Sequence, residues 1–149
     1  MTVSGIDSSG KRKERKFEVI RFGVQQKTPT SPAAVVGLAA NQTHTVKRWI
    51  PTYQVHSSHS PENGAWQVHD NFLIHDGPDN PMGKKNIFAS IGCIEICGGP
   101  HGFVDFNNFI IELSGPKSVK RPEQLVEIGK SRNMTITYLA AKRPKLTIN

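Results

Sequence analysis

The hydrophobic and polar positions along the chain change period at about residue 100. Before it, short runs alternate with period two, the mark of strands with one buried face. "FEVIRFGVQ" at 17–25 reads as a first strand, and "HTVKRWIPTYQVH" at 44–56 as one or two strands bent at Pro51. "AWQVHDNFLIH" at 65–75 reads as a hairpin turning at Asp70-Asn71, with a buried second arm. "IFASIGCIEIC" at 87–97 is strand-like. After it the period becomes helical: Phe103, Phe106, Phe109, Ile110 and Leu113 fall on one face, and Gly115 stands where a helix would stop. "RPEQLVEIGKS" at 121–131 predicts a second short helix with proline at its start. "NMTITYLAA" at 133–141 and "KLTIN" at 145–149 read as closing strands.

Connections are rich in Gly and Pro. Residues 26–42 read as a long link with a little helix at "SPAAVVGLAA", and 57–64 and 76–86 as loops. The expected fold is mainly β with one or two short α-helices. At 149 residues it would be a single domain (17–149) behind a flexible basic lead-in at 1–16.

The formal net charge of +7 gathers at KRKERK (11–16), KR (47–48), KK (84–85) and KRPK (142–145). Such a chain is drawn to polyanions: nucleic acid, anionic lipid or anionic wall polymer. KRKERK itself reads first as a solvated tail. No apolar run is long enough for a membrane span. The N-terminus lacks the apolar core of a Sec signal.

Cys93 and Cys97 are the two cysteines. In one strand their Cα atoms would stand about 13 Å apart, whereas a disulfide needs about 7 Å or less. Both thiols should be free and on one face. A nucleophilic cysteine needs a base to take its proton. Of six histidines, His75 is the one that ends an apolar strand and opens a Gly/Pro loop. Gly92 would let a substrate approach the backbone, and N–H groups at Gly92 and Cys93 would form an oxyanion hole. Against this stands the fact that free cysteine is usually packing.

His56, His59, His69 and Asp70 do not follow a zinc spacing. They read as solvated loop residues, and neither metal nor cofactor is expected. Trp49, Tyr53 and Trp66 either line a groove or, as favoured, fill a small core, with Trp66 kept as a candidate for substrate contact.

"IHDGPDNPMGKKNIFASIGCIEI" resembles the signature of L,D-transpeptidases of the YkuD type. There a strand histidine is followed, after 14 to 17 residues, by Ser/Thr-His-Gly-Cys. Here 14 residues (76–89) separate His75 from Ser90, with Gly92 and Cys93 following. The likeness is close over 72–96 and loose over 44–141. It implies a YkuD-like β-sandwich or barrel catalytic domain, with Cys93 as nucleophile and His75 as base. Ser90 would orient the histidine or bond the substrate, or be a plain strand hydroxyl. Asp76, Gly77 and Glu95 would lie on the substrate side; Glu95, two residues from Cys93 and so on its side of the strand, would alternatively orient His75 or be a plain exposed strand residue. Two positions depart from the pattern: Ile91 stands for the family's histidine, and Glu95 for its arginine.

The implied activity is acyl transfer on peptidoglycan stem peptides: cross-linking, D-amino-acid exchange or trimming. A small basic wall enzyme without an export signal would be an antibacterial effector. Dedicated machinery such as type VI secretion would deliver it to a target cell's periplasm, and an immunity protein would neutralise it. The competing readings are a nucleic-acid-binding or nuclease toxin, which leaves the His75–Cys93 spacing without a role, and an inactive peptidoglycan-binding relative.

Overall fold

The computed structural model describes residues 1–25, 28–32, 34–38, 40–54, 60–80 and 92–142. Within them the fold is mainly β, with two helices. The centre is a five-stranded sheet in the order β3-β10-β9-β8-β7. Its strands are β3 (Val19–Ile20), β7 (Arg48–Ile50), β8 (Ala65–His69), β9 (Phe72–Asp76) and β10 (Ile94–Ile96). β9 and β10 run parallel, and the other neighbours are antiparallel.

The 65–75 hairpin forms as expected. Asp70 takes a left-handed turn at φ 46°, and its carbonyl accepts a 2.6 Å bond from Gln67 Nε2. The run at 87–97 is strand over Ile94–Ile96, while 81–91 lie outside the described residues. "FEVIRFGVQ" gives two short strands, β3 and β4 (Gly23–Gln25), rather than one. The expected bit of helix at 31–40 is instead β5 (Ala34–Val36), paired with β4, because a β-branched pair at 35–36 suits a pleated strand. The run at 44–56 divides into β6 (Gln42–Thr45) and β7, which stops before Pro51. β6 pairs with β11 (Thr135–Tyr138), and "KLTIN" lies outside the described residues.

The helices follow the period that predicts them. α1 (Gly102–Ser114) buries Phe103, Phe106, Asn107, Phe109 and Ile110 and ends at Gly115 in the left-handed conformation. α2 (Arg121–Ser131) starts with proline in its first turn. Both cover one face of the sheet, where Trp66, Ile74, Ile94 and Ile96 meet Phe103, Phe106 and Ile128 in the main core. Gly129 lets α2 lie on β7: a Cβ there would stand 2.5 Å from the Trp49 nitrogen. Among the described residues no helix is long and apolar enough to cross a membrane.

Residues 1–16 correct the expectation of a flexible lead-in. They form a hairpin of β1 (Thr2–Ile6) and β2 (Arg12–Lys16) packed on α1. The turn is held by Asp7, whose Oδ1 accepts bonds from the Ser9 nitrogen and hydroxyl and from the Lys11 nitrogen. The Ser9 hydroxyl, then Lys13, hold the Asp7 carboxyl well below the usual range. The basic run is partly neutralised: Lys13 pairs with Asp7 and Glu112, and Arg15 with Asp105. Charge density alone hides such pairing, because two of the three acids, Asp105 and Glu112, come from a helix ninety or more residues away in sequence.

Candidate active site

Strand alternation sends neighbouring residues to opposite faces of the sheet. On the face away from the helices, Ala65, Leu73 and Cys93 form a second small cluster, with Ile50 and Tyr53 against it. The parallel register sets Glu95 beside His75, and His75 lies opposite Ala65 on β8. His75, Cys93 and Glu95 therefore share one face of two adjacent strands. All three are buried, at 1%, 6% and 2% exposure.

Each group has a defined setting. His75 Nδ1 lies 2.6 Å from the carbonyl oxygen of Asp76. A carbonyl only accepts, so Nδ1 carries a proton, and Nε2 is the nitrogen that would serve as a base. The Tyr53 ring stands 5.1 Å from the imidazole, centroid to centroid. The Leu73 N–H points at Cys93 Sγ from 3.4 Å, and the thiol donates a 3.7 Å bond to the Asn71 carbonyl.

Burial pushes the Cys93 thiol above its ordinary 9.0; the Leu73 N–H opposes this, and the charge of Glu95 adds to it. Burial likewise raises the Tyr53 phenol, with Cys93 and Glu95 contributing. The shift favours the neutral thiol over the thiolate. For such a thiol to act as a nucleophile its proton would have to leave, and the imidazole on the same face is the group suited to take it. Glu95, beside that imidazole, would stabilise the imidazolium.

Cys97 is also free and buried. Its thiol is pushed up to about 11, chiefly by burial, and donates to the Glu95 carbonyl. Between pH 9 and about 11 the unfolded chain sheds thiol protons that the folded chain keeps, so stability falls with rising pH there. Reactivity follows the same shifts. Alkylation of Cys93 by iodoacetamide in the native protein is expected to be slow at pH 7 and to rise about tenfold per pH unit to beyond pH 9. Peptide mass spectrometry over a pH series reads this, and a rate already flat at pH 7 would mean a preformed thiolate instead.

Several expected site residues take other places. Trp66 is fully buried on the helix side, and its Nε1 donates a 2.8 Å bond to Asn107 Oδ1. It contacts core, not substrate, because alternation turns it away from Ala65 and Gln67. Asp76 is 0% exposed and in register with Ile96, on the face opposite His75, so it too is no substrate contact. Gly77 is buried against Glu95: an added Cβ would meet the Glu95 Cβ at 2.9 Å. Its smallness serves packing beneath the acid. The space expected at Gly92 for a substrate is filled by protein, since a Cβ there would lie 2.8 Å from Phe72 Cε1 and 2.9 Å from Gly37 Cα. At φ 102° the position also favours glycine. Ser90, Ile91, His56 and His59 lie outside the described residues. The His69 ring lies tilted against His44, centroids 4.9 Å apart, and its Nε2 sits 3.4 Å from Asp70 Oδ2.

Tyr53 is the member of the cluster that sequence reasoning left off the site. Its signal was faint: an aromatic two residues past the proline that ends a strand.

No family model matches the chain, and neither a curated protein nor a solved structure matches it.

Proposed function

We propose that the protein is a cysteine-dependent acyl-transfer enzyme. The observation that supports this best is the placement of His75, Cys93 and Glu95 on one face of two adjacent strands, with Nδ1 of the imidazole bonded to a backbone carbonyl. Within that class, the likeness over residues 72–96 favours an L,D-transpeptidase-type enzyme acting on peptidoglycan stem peptides.

His75 Nε2 takes the Cys93 proton while the sulfur attacks the carbonyl carbon between residues three and four of a stem tetrapeptide. The C–N bond breaks, the imidazolium returns the proton to the departing D-alanine amine, and a thioester remains. An amine then gives a cross-link or an exchanged peptide, and water gives a tripeptide. Glu95 replaces the family's arginine and puts an acid where a cation would hold substrate. That exchange favours an acceptor that is itself cationic, or water. The overall positive charge suits approach to anionic wall polymers. The proposal includes the antibacterial-effector role, with a neutralising partner protein.

The test is mass spectrometry of muropeptides after incubation of tetrapeptide-rich peptidoglycan with the protein, with and without added D-amino acid, beside Cys93→Ala. Loss or exchange of terminal D-alanine that disappears in the variant is expected. Identical muropeptides with and without protein would sink the assignment.

A further inference from the structure

The ladder bonds of two strand pairs show which backbone groups face away from them. In the β1–β2 hairpin Met1 and Phe17 exchange both of their bonds, and the Asp7 nitrogen donates to the Lys11 carbonyl. Bonded pairs in an antiparallel ladder recur at every second residue, so Val3 and Gly5 also bond toward β2. The N–H and C=O groups of Thr2, Ser4 and Ile6 therefore point outward. In the β6–β11 pair the Val46 nitrogen donates to the Met134 carbonyl, and the Asn41 nitrogen to the Tyr138 carbonyl. By the same count Ile136 bonds inward, while Thr135 and Thr137 present their groups outward. Among the described residues neither β1 nor β11 has a second strand partner.

These two open edges line one cavity of about 900 Å³. Every residue of β1 and of β11 borders it and no residue of β2 or β6 does, so it lies at the free sides of both strands. Thr2, Ser4, Ile6, Thr135 and Thr137, which carry the outward groups, are all exposed. The wall also holds Met1, Val3, Val19, Leu113, Met134 and Ile136, apolar side chains that are only partly buried. Cations border it. Arg132 is exposed between the lining residues Ser131 and Asn133, Lys130 is exposed beside Ser131, and Lys142 is exposed just past Leu139. The exposed side of β2 adds Arg12 and Lys16 around one acid, Glu14. Glu127 is the one acid among the described lining residues, and its oxygens are taken by the Lys117 and Ser118 nitrogens and the Ser118 hydroxyl.

An unpaired strand edge is a template for another strand, and adding a strand to such an edge is a recurrent way to hold a peptide. A peptide lying between two edges bonds one with its odd residues and the other with its even ones. Its side chains alternate, half against the apolar wall and half toward water. We propose that this groove takes an extended segment of a partner protein, apolar at alternate positions and acidic between them, as an added strand between β1 and β11. The acids answer the cations that border the groove. A second copy of this chain is the poorer occupant, because two chains of net charge +7 repel.

The probe is a synthetic peptide, acetyl-EVEVEVE-amide, added to the full chain while hydrogen exchange is followed by NMR, amide by amide. In the free chain the amides of Ser4, Ile6 and Thr137 should exchange fast, unlike those of Val3 and Gly5. The peptide should slow them about tenfold or more. Calorimetry should give one peptide per chain, with acetyl-KVKVKVK-amide about tenfold weaker. Ser4→Pro and Thr137→Pro each remove one outward N–H and leave the existing ladders their bonds. Each should weaken the acidic peptide about tenfold, and Ser4→Ala should not. Circular dichroism checks folding, and the exchange measurement on the unaltered chain decides the matter even if a proline variant does not fold. Amides left unchanged by the peptide, equal binding of the lysine peptide, or full affinity in a folded proline variant would each overturn the proposal. So would slow exchange of these amides in the free chain: independent of concentration, it would mean that the chain covers its own edges, and growing with concentration, that a second copy does.

Discussion

Replacing His75 with glutamine is expected to slow formation of the Cys93 thioester by about 100- to 10,000-fold, with the fold retained. The size of the effect follows from the state of the nucleophile. Burial holds Cys93 as a neutral thiol, so little thiolate exists near neutrality to react unaided. In the proposed chemistry the imidazole would act in every turnover. Glutamine can keep a donor near the Asp76 carbonyl but offers no basic nitrogen. Intact-mass measurement of the acyl-enzyme after rapid mixing with a stem tetrapeptide reads the rate directly. A variant that acylates like wild type would remove His75 from the chemistry.

Glu95→Gln separates two roles of the acid in the same assay. Its charge helps to raise the thiol, so the variant should alkylate faster at a given pH. It should nonetheless acylate more slowly, because the imidazolium loses the neighbouring charge. A merely structural Glu95 would not move the two readouts in opposite directions.

Trp66→Ala is expected to cost about 3–5 kcal/mol and to lower Tm by about 10 °C or more. The indole is fully buried between sheet and helices, 4.8 Å from the Trp49 ring. Its loss would open a cavity and strip Asn107 of a donor at the head of a buried network. In that network Asn107 Nδ2 donates to Glu62 Oε2 at 2.6 Å, and Arg121 holds Glu62 through Nε and Nη2. Thermal unfolding with activity measured per folded molecule divides the two roles Trp66 could have. Lost stability with unchanged specific activity fits the core position, whereas lost activity at unchanged Tm would restore the groove.

Much of the local structure was legible. The helical stripe of Phe103, Phe106, Phe109 and Ile110, with Gly115 behind it, is a period, and a period needs no knowledge of neighbours. The Asp70-Asn71 turn carries its own chemistry in a residue that tolerates positive φ. The N-terminal hairpin was not legible, since its basic strand is matched by Asp105 and Glu112 far along the chain. The short strand at 34–36 was missed for a similar reason, because its ladder partner decides it.

For the site, residue order set which side chains are available: one histidine closing an apolar arm, a gap long enough for a parallel crossover, and two cysteines too far apart along a strand to bond. These follow from chain connectivity and reach. The tertiary structure alone decided which face each residue meets. Pairing β10 parallel to β9 set Glu95 beside His75, and the pleat sent Trp66 and Asp76 to the opposite side. It also brought Tyr53 over the imidazole and buried the thiol, which favours its protonated form. Register between strands is a long-range property, and a shift of one residue would have reversed every one of those placements.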